Sequence, residues 1–182
     1  MPTGRKPNRV ALRIVVSLND FAEVLGEGEV DTDNMGFTVP ELSSGRRSFS
    51  PDASYYRGAF PRNEMRFILA APTFAVEVRG EGDYGGAAEA ELAAKRADYF
   101  EAGTEVVWDV DTVMEVVRKY LPETPEVPVT FGRGEVADAE PAVPGAAAGR
   151  GSDLRVSLGL RGNCPPGPGI LPVMRLGPAQ DR

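Results

Sequence analysis

Residues 71–111, AAPTFAVEVRGEGDYGGAAEAELAAKRADYFEAGTEVVWDVD, constrain the fold of this 182-residue chain more than any other stretch. The run TFAVEVR at 73–79 alternates with a period of two, so Phe74, Val76 and Val78 share one side and Ala75 and Glu77 the other. Its apolar density suits a strand covered on both faces, as in an α/β layer. Gly80, Gly82, Gly85 and Gly86 follow as a flexible loop. Residues 87–102 are strong helix formers and stop at Gly103. EVVWDV at 105–110 predicts a second buried strand.

Two ionisable residues interrupt this apolar pattern. On the predicted helix, Ala88, Leu92, Lys95 and Tyr99 recur at spacings of four, three and four, which puts Lys95 on the sheet-facing side. Glu89, Glu91, Arg96 and Asp98 are expected to project elsewhere. Lys95 either snorkels out along its aliphatic stem or reaches a polar pocket at the sheet edge. Glu77 poses the same question on the strand. A buried carboxylate costs several kcal/mol unless it is paired or metal-bound. A structural ion pair, or a solvent-exposed strand face, would satisfy it equally well.

Composition narrows the chemistry available to such a pair. The chain has no histidine and one cysteine, Cys164. Ser-His-Asp hydrolysis, His-ligated zinc proteolysis and zinc deamination are therefore excluded. A metal would be held by oxygen ligands, which points to Mg²⁺, Mn²⁺ or Ca²⁺. Asp52, in SFSPDASYY at 48–56, follows Pro51, which belongs at a strand edge or start and would hold the aspartate just after a fixed bend. Asp52, Glu77 and Lys95 together make two carboxylates and one ammonium. That is a set suited to Mg²⁺ ligation and to stabilising a phosphorane-like transition state.

The remaining segments frame that set. RVALRIVVSLNDFAEVL at 9–25 has a helical period, with Val10, Ile14, Leu18 and Phe21 on one face. Residues 1–8 read as a loose, positively charged lead-in. Residues 29–39 predict a strand, a turn and a short strand; 57–66 a connecting loop; 67–69 a short element. A strand is expected over 113–120, separated from the preceding one by an acidic turn at 109–111. A final hairpin is expected from 129–131 and 135–137 around Gly132 and Gly134. From Ala146 onward about a third of the residues are Gly or Pro, and the charge turns basic. A disordered or poorly packed tail is expected there. The formal charge of -7 opposes bulk electrostatic binding to DNA. Arg46, Arg47, Arg57, Arg62 and Arg66 could still form a local basic patch, or simply a solvated face. No run of 18 apolar residues exists, and the start lacks the apolar length of a signal peptide. A cytoplasmic location and one main domain are expected.

SPD at 50–52, FAVEVR at 74–79, AAKRADYFEAGTEVVWDVD at 93–111 and GEVADAEPAVPG at 134–145 resemble, as an ordered set, the Uma2 family of restriction-endonuclease-like proteins. That family lies within the PD-(D/E)xK nuclease superfamily. The resemblance covers roughly residues 9–145. It implies a restriction-endonuclease-like α/β core, a central mixed sheet flanked by helices. It implies Asp52 and Glu77 as metal ligands, the Val78 carbonyl as a third, and Lys95 as the catalytic lysine. It also implies Mg²⁺ or Mn²⁺ as cofactor, DNA as substrate and a homodimer as a possible assembly. In the wider superfamily the lysine follows the acid by two positions; here that position is Arg79, and the ammonium comes from the helix. Asp83 could add an outer-sphere contact. The family's usual N-terminal hairpin has no counterpart before residue 9, and the sequence after Val143-Pro144-Gly145 departs from the family pattern, as a truncation or a changed reading frame would produce.

The leading expectation is a metal-dependent DNA endonuclease, or a degenerate relative of one. The alternatives are a catalytically silent nuclease-fold module that pairs through Trp108 and the sheet edge, and an arginine-lined nucleic-acid binder without chemistry.

Overall fold

A computed structural model describes residues 3–144. The 146–182 segment expected to be a tail lies outside the described residues. The chain opens with helix α1 (Arg5–Leu25), which buries Pro7, Val10, Ile14, Leu18 and Phe21 along one face. The helix begins four residues ahead of the expected start, so 5–8 are its first turn and not a loose lead-in. It ends at Gly26, whose left-handed φ of 69° lets its N–H bond back to the Ala22 carbonyl at 2.8 Å.

Among the described residues eight strands follow: β1 (Glu29–Thr32), β2 (Phe37–Thr38), β3 (Ser48–Phe49), β4 (Ala53–Tyr56), β5 (Phe74–Val78), β6 (Val106–Asp111), β7 (Val116–Tyr120) and β8 (Val129–Phe131). Helix α2 (Gly86–Glu101) connects β5 to β6. Six strands form one sheet in the order β1-β4-β5-β6-β7-β8, while β2 and β3 make a separate small hairpin. Among the paired strands of the described residues only β5–β6 is parallel, and α2 is the crossover that parallel pairing requires. The result is a mixed central sheet flanked by helices, as the family resemblance implied.

Strand alternation divides the interior into two cores. Phe74, Val76 and Val78 pack with Trp108, Val110 and the buried face of α1. Ala75 and Val107 face the opposite layer, against Tyr99 of α2 and Phe37 and Phe49 of the small hairpin. Trp108 is wholly buried, meets Phe74 edge-on at 5.1 Å, and donates its indole N–H to the Asp138 carbonyl at 3.2 Å. The pairing surface built on Trp108 is thereby excluded, because that ring is core.

Several local expectations are corrected. Asp109 and Asp111 are not a turn but buried residues of β6, and the reversal to β7 lies beyond them. Their carboxylates are tolerated because Arg79 and Arg118 reach them. Residues 135–137 form no strand; β8 pairs with β7 alone, and Ala137, Ala139, Ala142 and Val143 instead close the α1 core. The strand, turn and short strand expected over 29–39 are present as β1 and β2, with β1 joined to β4 and β2 to β3. Arg96 and Asp98 of α2 are buried, not outward. Arg96 lies 3.7 Å from the centroid of the Tyr120 ring, and Asp98 accepts from Arg46 Nε at 2.7 Å.

Gly28 sits at φ 75° directly beneath the Tyr55 ring, whose hydroxyl donates to the Glu27 carbonyl at 3.0 Å. A Cβ there would collide with the ring and be conformationally strained. Gly28→Ala is expected to lower unfolding free energy by about 1–3 kcal/mol. Gly45→Ala has a similar φ of 84° but open space around it, so it should cost only about 1 kcal/mol. Equal urea midpoints for the two variants would refute the role of the Tyr55 contact.

Candidate active site

The site lies where β5 ends. Pro51 closes the link from β3, and the Asp52 N–H donates to the Val76 carbonyl at 3.0 Å, extending the β4–β5 pairing by one residue. That register brings the Asp52 side chain to the next β5 amide on the same side, and Oδ2 accepts from the Val78 N–H at 2.6 Å. Within a strand, N–H and C=O of one residue leave in the same direction. The Val78 carbonyl therefore faces the same edge as Asp52.

Glu77 points to the opposite layer, toward α2. Its Oε2 is 2.6 Å from Lys95 Nζ, and its Oε1 accepts from the Tyr99 hydroxyl at 2.7 Å. Lys95 and Tyr99 are four apart on α2, so one helical turn presents both donors to one carboxylate. The inward placement of Lys95 is observed, and the side chains of Lys95 and Glu77 keep only 26% and 16% of their exposure. The Tyr99 hydroxyl was missed as a site group, although the K-x-x-x-Y spacing contained it.

Arg79 stands where the wider superfamily has its lysine, but its guanidinium is committed elsewhere. It binds Asp109 of β6 with Nε–Oδ1 at 2.7 Å and Nη2–Oδ2 at 2.5 Å, and it also grips Glu89 in the first turn of α2. A buried arginine held by two carboxylates fixes the start of α2 against β5 and β6. That fixes the helix rotation which delivers Lys95 to Glu77. These partners keep the Arg79 guanidinium charged, raising its pKa further above its ordinary value, with Asp109 the chief cause. Asp83 lies in the same rim and accepts from the Gly80 N–H at 2.7 Å, which stabilises the turn after β5.

Asp52, Glu77, Val78 and Lys95 share a cleft of about 720 Å³, with Thr3 and Gly4 before α1 on its rim. Of the arginines suggested as a patch, only Arg46 lines it. Arg47 pairs with Glu41, and Arg57 with Glu105 at 2.6 Å. Arg62 and Arg66 lie in the loop between β4 and β5, at the other end of those strands. Among the described residues no three acidic, histidine or cysteine side chains converge to hold a metal ion. Two carboxylates and one main-chain carbonyl do fit a hard cation that keeps several of its waters, as Mg²⁺ does. Glu77 would have to exchange a partner to join such a set.

Burial raises the pKa of both carboxyl groups. For Asp52 desolvation outweighs the Val78 N–H and Lys95; for Glu77 it outweighs Lys95 and Tyr99. The neighbouring Glu77 charge adds to burial in holding the Tyr99 hydroxyl protonated well above its usual range. An acid whose folded pKa is raised favours the fold while protonated, and that advantage is lost as pH climbs from the unfolded value toward the folded one. For Asp52 the loss begins near the ordinary value of 3.8. Asp52→Asn keeps an acceptor for Val78 and removes the charge. It is expected to raise the melting temperature at pH 7 and to lose that gain at pH 3; an equal or lower melting temperature at pH 7 would contradict this.

Comparison with known proteins places this geometry in context. Residues 1–156 match the Uma2 family, described as "Putative restriction endonuclease". A solved structure of a putative nuclease belonging to DUF820 from Anabaena variabilis ATCC 29413 superposes with a TM-score of 0.62 at 19% identity. The alignment covers 79% of this chain and 76% of that one. At that identity the likeness shows a shared fold. No curated protein matches this chain. Because the family match spans most of its length, the chain belongs to the Uma2 family.

Proposed function

We propose that this protein is a Mg²⁺- or Mn²⁺-dependent DNA endonuclease. The observation that carries the reading is the convergence, in one cleft at the end of β5, of Asp52, Glu77 and Lys95. Asp52, Glu77 and the Val78 carbonyl would hold the cation, and Lys95 would be the catalytic lysine. A cation bound there supplies Lewis-acid polarisation of a phosphodiester and a more acidic water.

The chain's own groups have separable tasks. The Val78 N–H orients Asp52, which leaves its second oxygen available toward the cleft. Tyr99 holds one oxygen of Glu77 and sets the rotamer of the other. Lys95, 2.6 Å from Glu77, can follow charge that develops on a phosphate oxygen in the transition state. It can also hydrogen-bond the attacking water. Arg79 touches none of these atoms and acts as a positioning residue through Glu89 and Asp109.

A second reading has a specific observation in its favour. Both oxygens of Glu77 are occupied by Lys95 and Tyr99, an arrangement that suits a silent nuclease-fold module as well as a resting site. Metal titration separates the two. Calorimetry with Mn²⁺ should detect a site that Asp52→Ala loses; no heat of binding in the unaltered chain favours the silent module. Lys95→Ala should leave Mn²⁺ binding in place and slow metal-dependent cleavage of duplex DNA by roughly 10²–10³-fold. Equal cleavage by the unaltered chain, Lys95→Ala and Glu77→Ala would overturn the site assignment.

A further inference from the structure

Among the described residues, acids outnumber bases in the lining of the cleft, with Asp52, Glu77, Glu81, Asp83 and Glu91 against Arg46, Arg79 and Lys95. Its three basic lining groups are each engaged by carboxylates: Arg46 by Asp98, Arg79 by Asp109 and Glu89, and Lys95 by Glu77. Glu81, Asp83 and Glu91 also line it. A phosphodiester backbone would meet net negative potential there, so the attraction must come from an adjacent surface.

α1 presents one. Residues 1–19 contain four basic side chains and no acidic one; the first acid is Asp20. Arg5, Arg9 and Arg13 are all exposed and recur at i, i+4 and i+8, so they form a single stripe on the solvent face. The stripe starts at the cleft. Thr3 and Gly4 line the cleft, and a Cβ built on Gly80 would come 3.2 Å from Thr3 Oγ1. The acids of the helix, Asp20 and Glu23, lie toward its far end. The charge asymmetry along α1 therefore adds to the helix dipole, whose positive end is at the cleft. The stripe spans about 12 Å, room for several successive phosphates at the ~3.4 Å rise of one strand.

Building on the endonuclease reading, we propose that the Arg5–Arg9–Arg13 stripe of α1 binds the phosphate backbone of duplex DNA and leads it into the cleft. The contact is non-specific in sequence, because arginines on phosphates carry no base information.

The test is the salt dependence of binding. Fluorescence anisotropy with a labelled 20-bp duplex, in Mg²⁺ and on a Lys95→Ala background, reads binding without depending on cleavage. Changing Arg5, Arg9 and Arg13 together to Gln should reduce the slope of log K against log salt by about 2.7 and weaken binding at least ~10-fold at low salt. The same three positions as Lys should restore most of both. Gln is nearly as good a helix former as Arg at exposed positions, and circular dichroism confirms that the helix persists. Arg62→Gln with Arg66→Gln, at the opposite end of β4 and β5, should leave the slope unchanged. An unaltered slope in the helix variant, an equal fall in the loop variant, or no binding by the Lys95→Ala chain would each overturn the track. Cleavage by the unaltered chain is measured in parallel. Its absence, with the slope change present, refutes the endonuclease reading and leaves the track standing.

Discussion

The ion pair between Glu77 and Lys95 is the interaction on which the rest of the site depends. A carboxylate on a strand covered by helices on both sides cannot be hydrated as it would be in water, and its desolvation costs several kcal/mol. Lys95 at 2.6 Å and the Tyr99 hydroxyl at 2.7 Å answer that cost from one turn of α2. The desolvation of Glu77 nevertheless outweighs both partners. The site thus holds a carboxyl group whose ionisation is opposed by burial.

The surrounding architecture makes that pairing possible. A crossover helix could rotate about its axis if only apolar contacts held it, since Ala88 and Leu92 are small or only half-buried. Arg79 removes that freedom by tying Glu89 on the helix to Asp109 on the neighbouring strand. At the far end, Arg46 holds Asp98, and Arg96 packs on Tyr120. Polar anchors at both ends of α2 therefore orient the lysine between them. Lys95 on the helix and the arginine at the superfamily's lysine position are two parts of one arrangement. The arginine is a structural tie, and the helix supplies the charge that faces the cleft.

Charge is divided in the same way across the molecule. Its net charge of -7 is unfavourable for a polyanion partner as a bulk property. The distribution matters more than the sum. The first helix places its basic residues at the cleft end, while its own acids, Asp20 and Glu23, lie at its far end. A local field of this kind can act over about 8–10 Å at moderate ionic strength, so the net charge alone does not decide what the cleft rim attracts.

The elements that carry the site were legible in the sequence because they rest on local periodicity. Alternation at 74–78 assigned Glu77 its face, and the i, i+3, i+4 recurrence of Leu92, Lys95 and Tyr99 assigned the lysine to the sheet side. Charged residues whose partners lie far along the chain were not legible. Asp109 and Asp111 read as a turn because acids interrupt a strand, yet Arg79 and Arg118 let β6 continue through them. Arg96 and Asp98 read as projecting away from the Lys95 face because the aromatic ring of Tyr120 and the guanidinium of Arg46 that cover them come from other elements. The 135–137 segment alternates weakly like a strand, but burying Ala137 against the α1 core gains more than a hydrogen-bonded edge beyond β8. Sequence by itself determined the α/β layering around β5 and the residue types available for chemistry, since histidine-free composition and hydrophobic period are properties of the chain alone. Only the tertiary structure decided that Asp52 reaches the Val78 amide, that Arg79 is committed to a buried network, and that α1 delivers its basic end to the cleft. Those depend on strand register and helix rotation, which long-range contacts set.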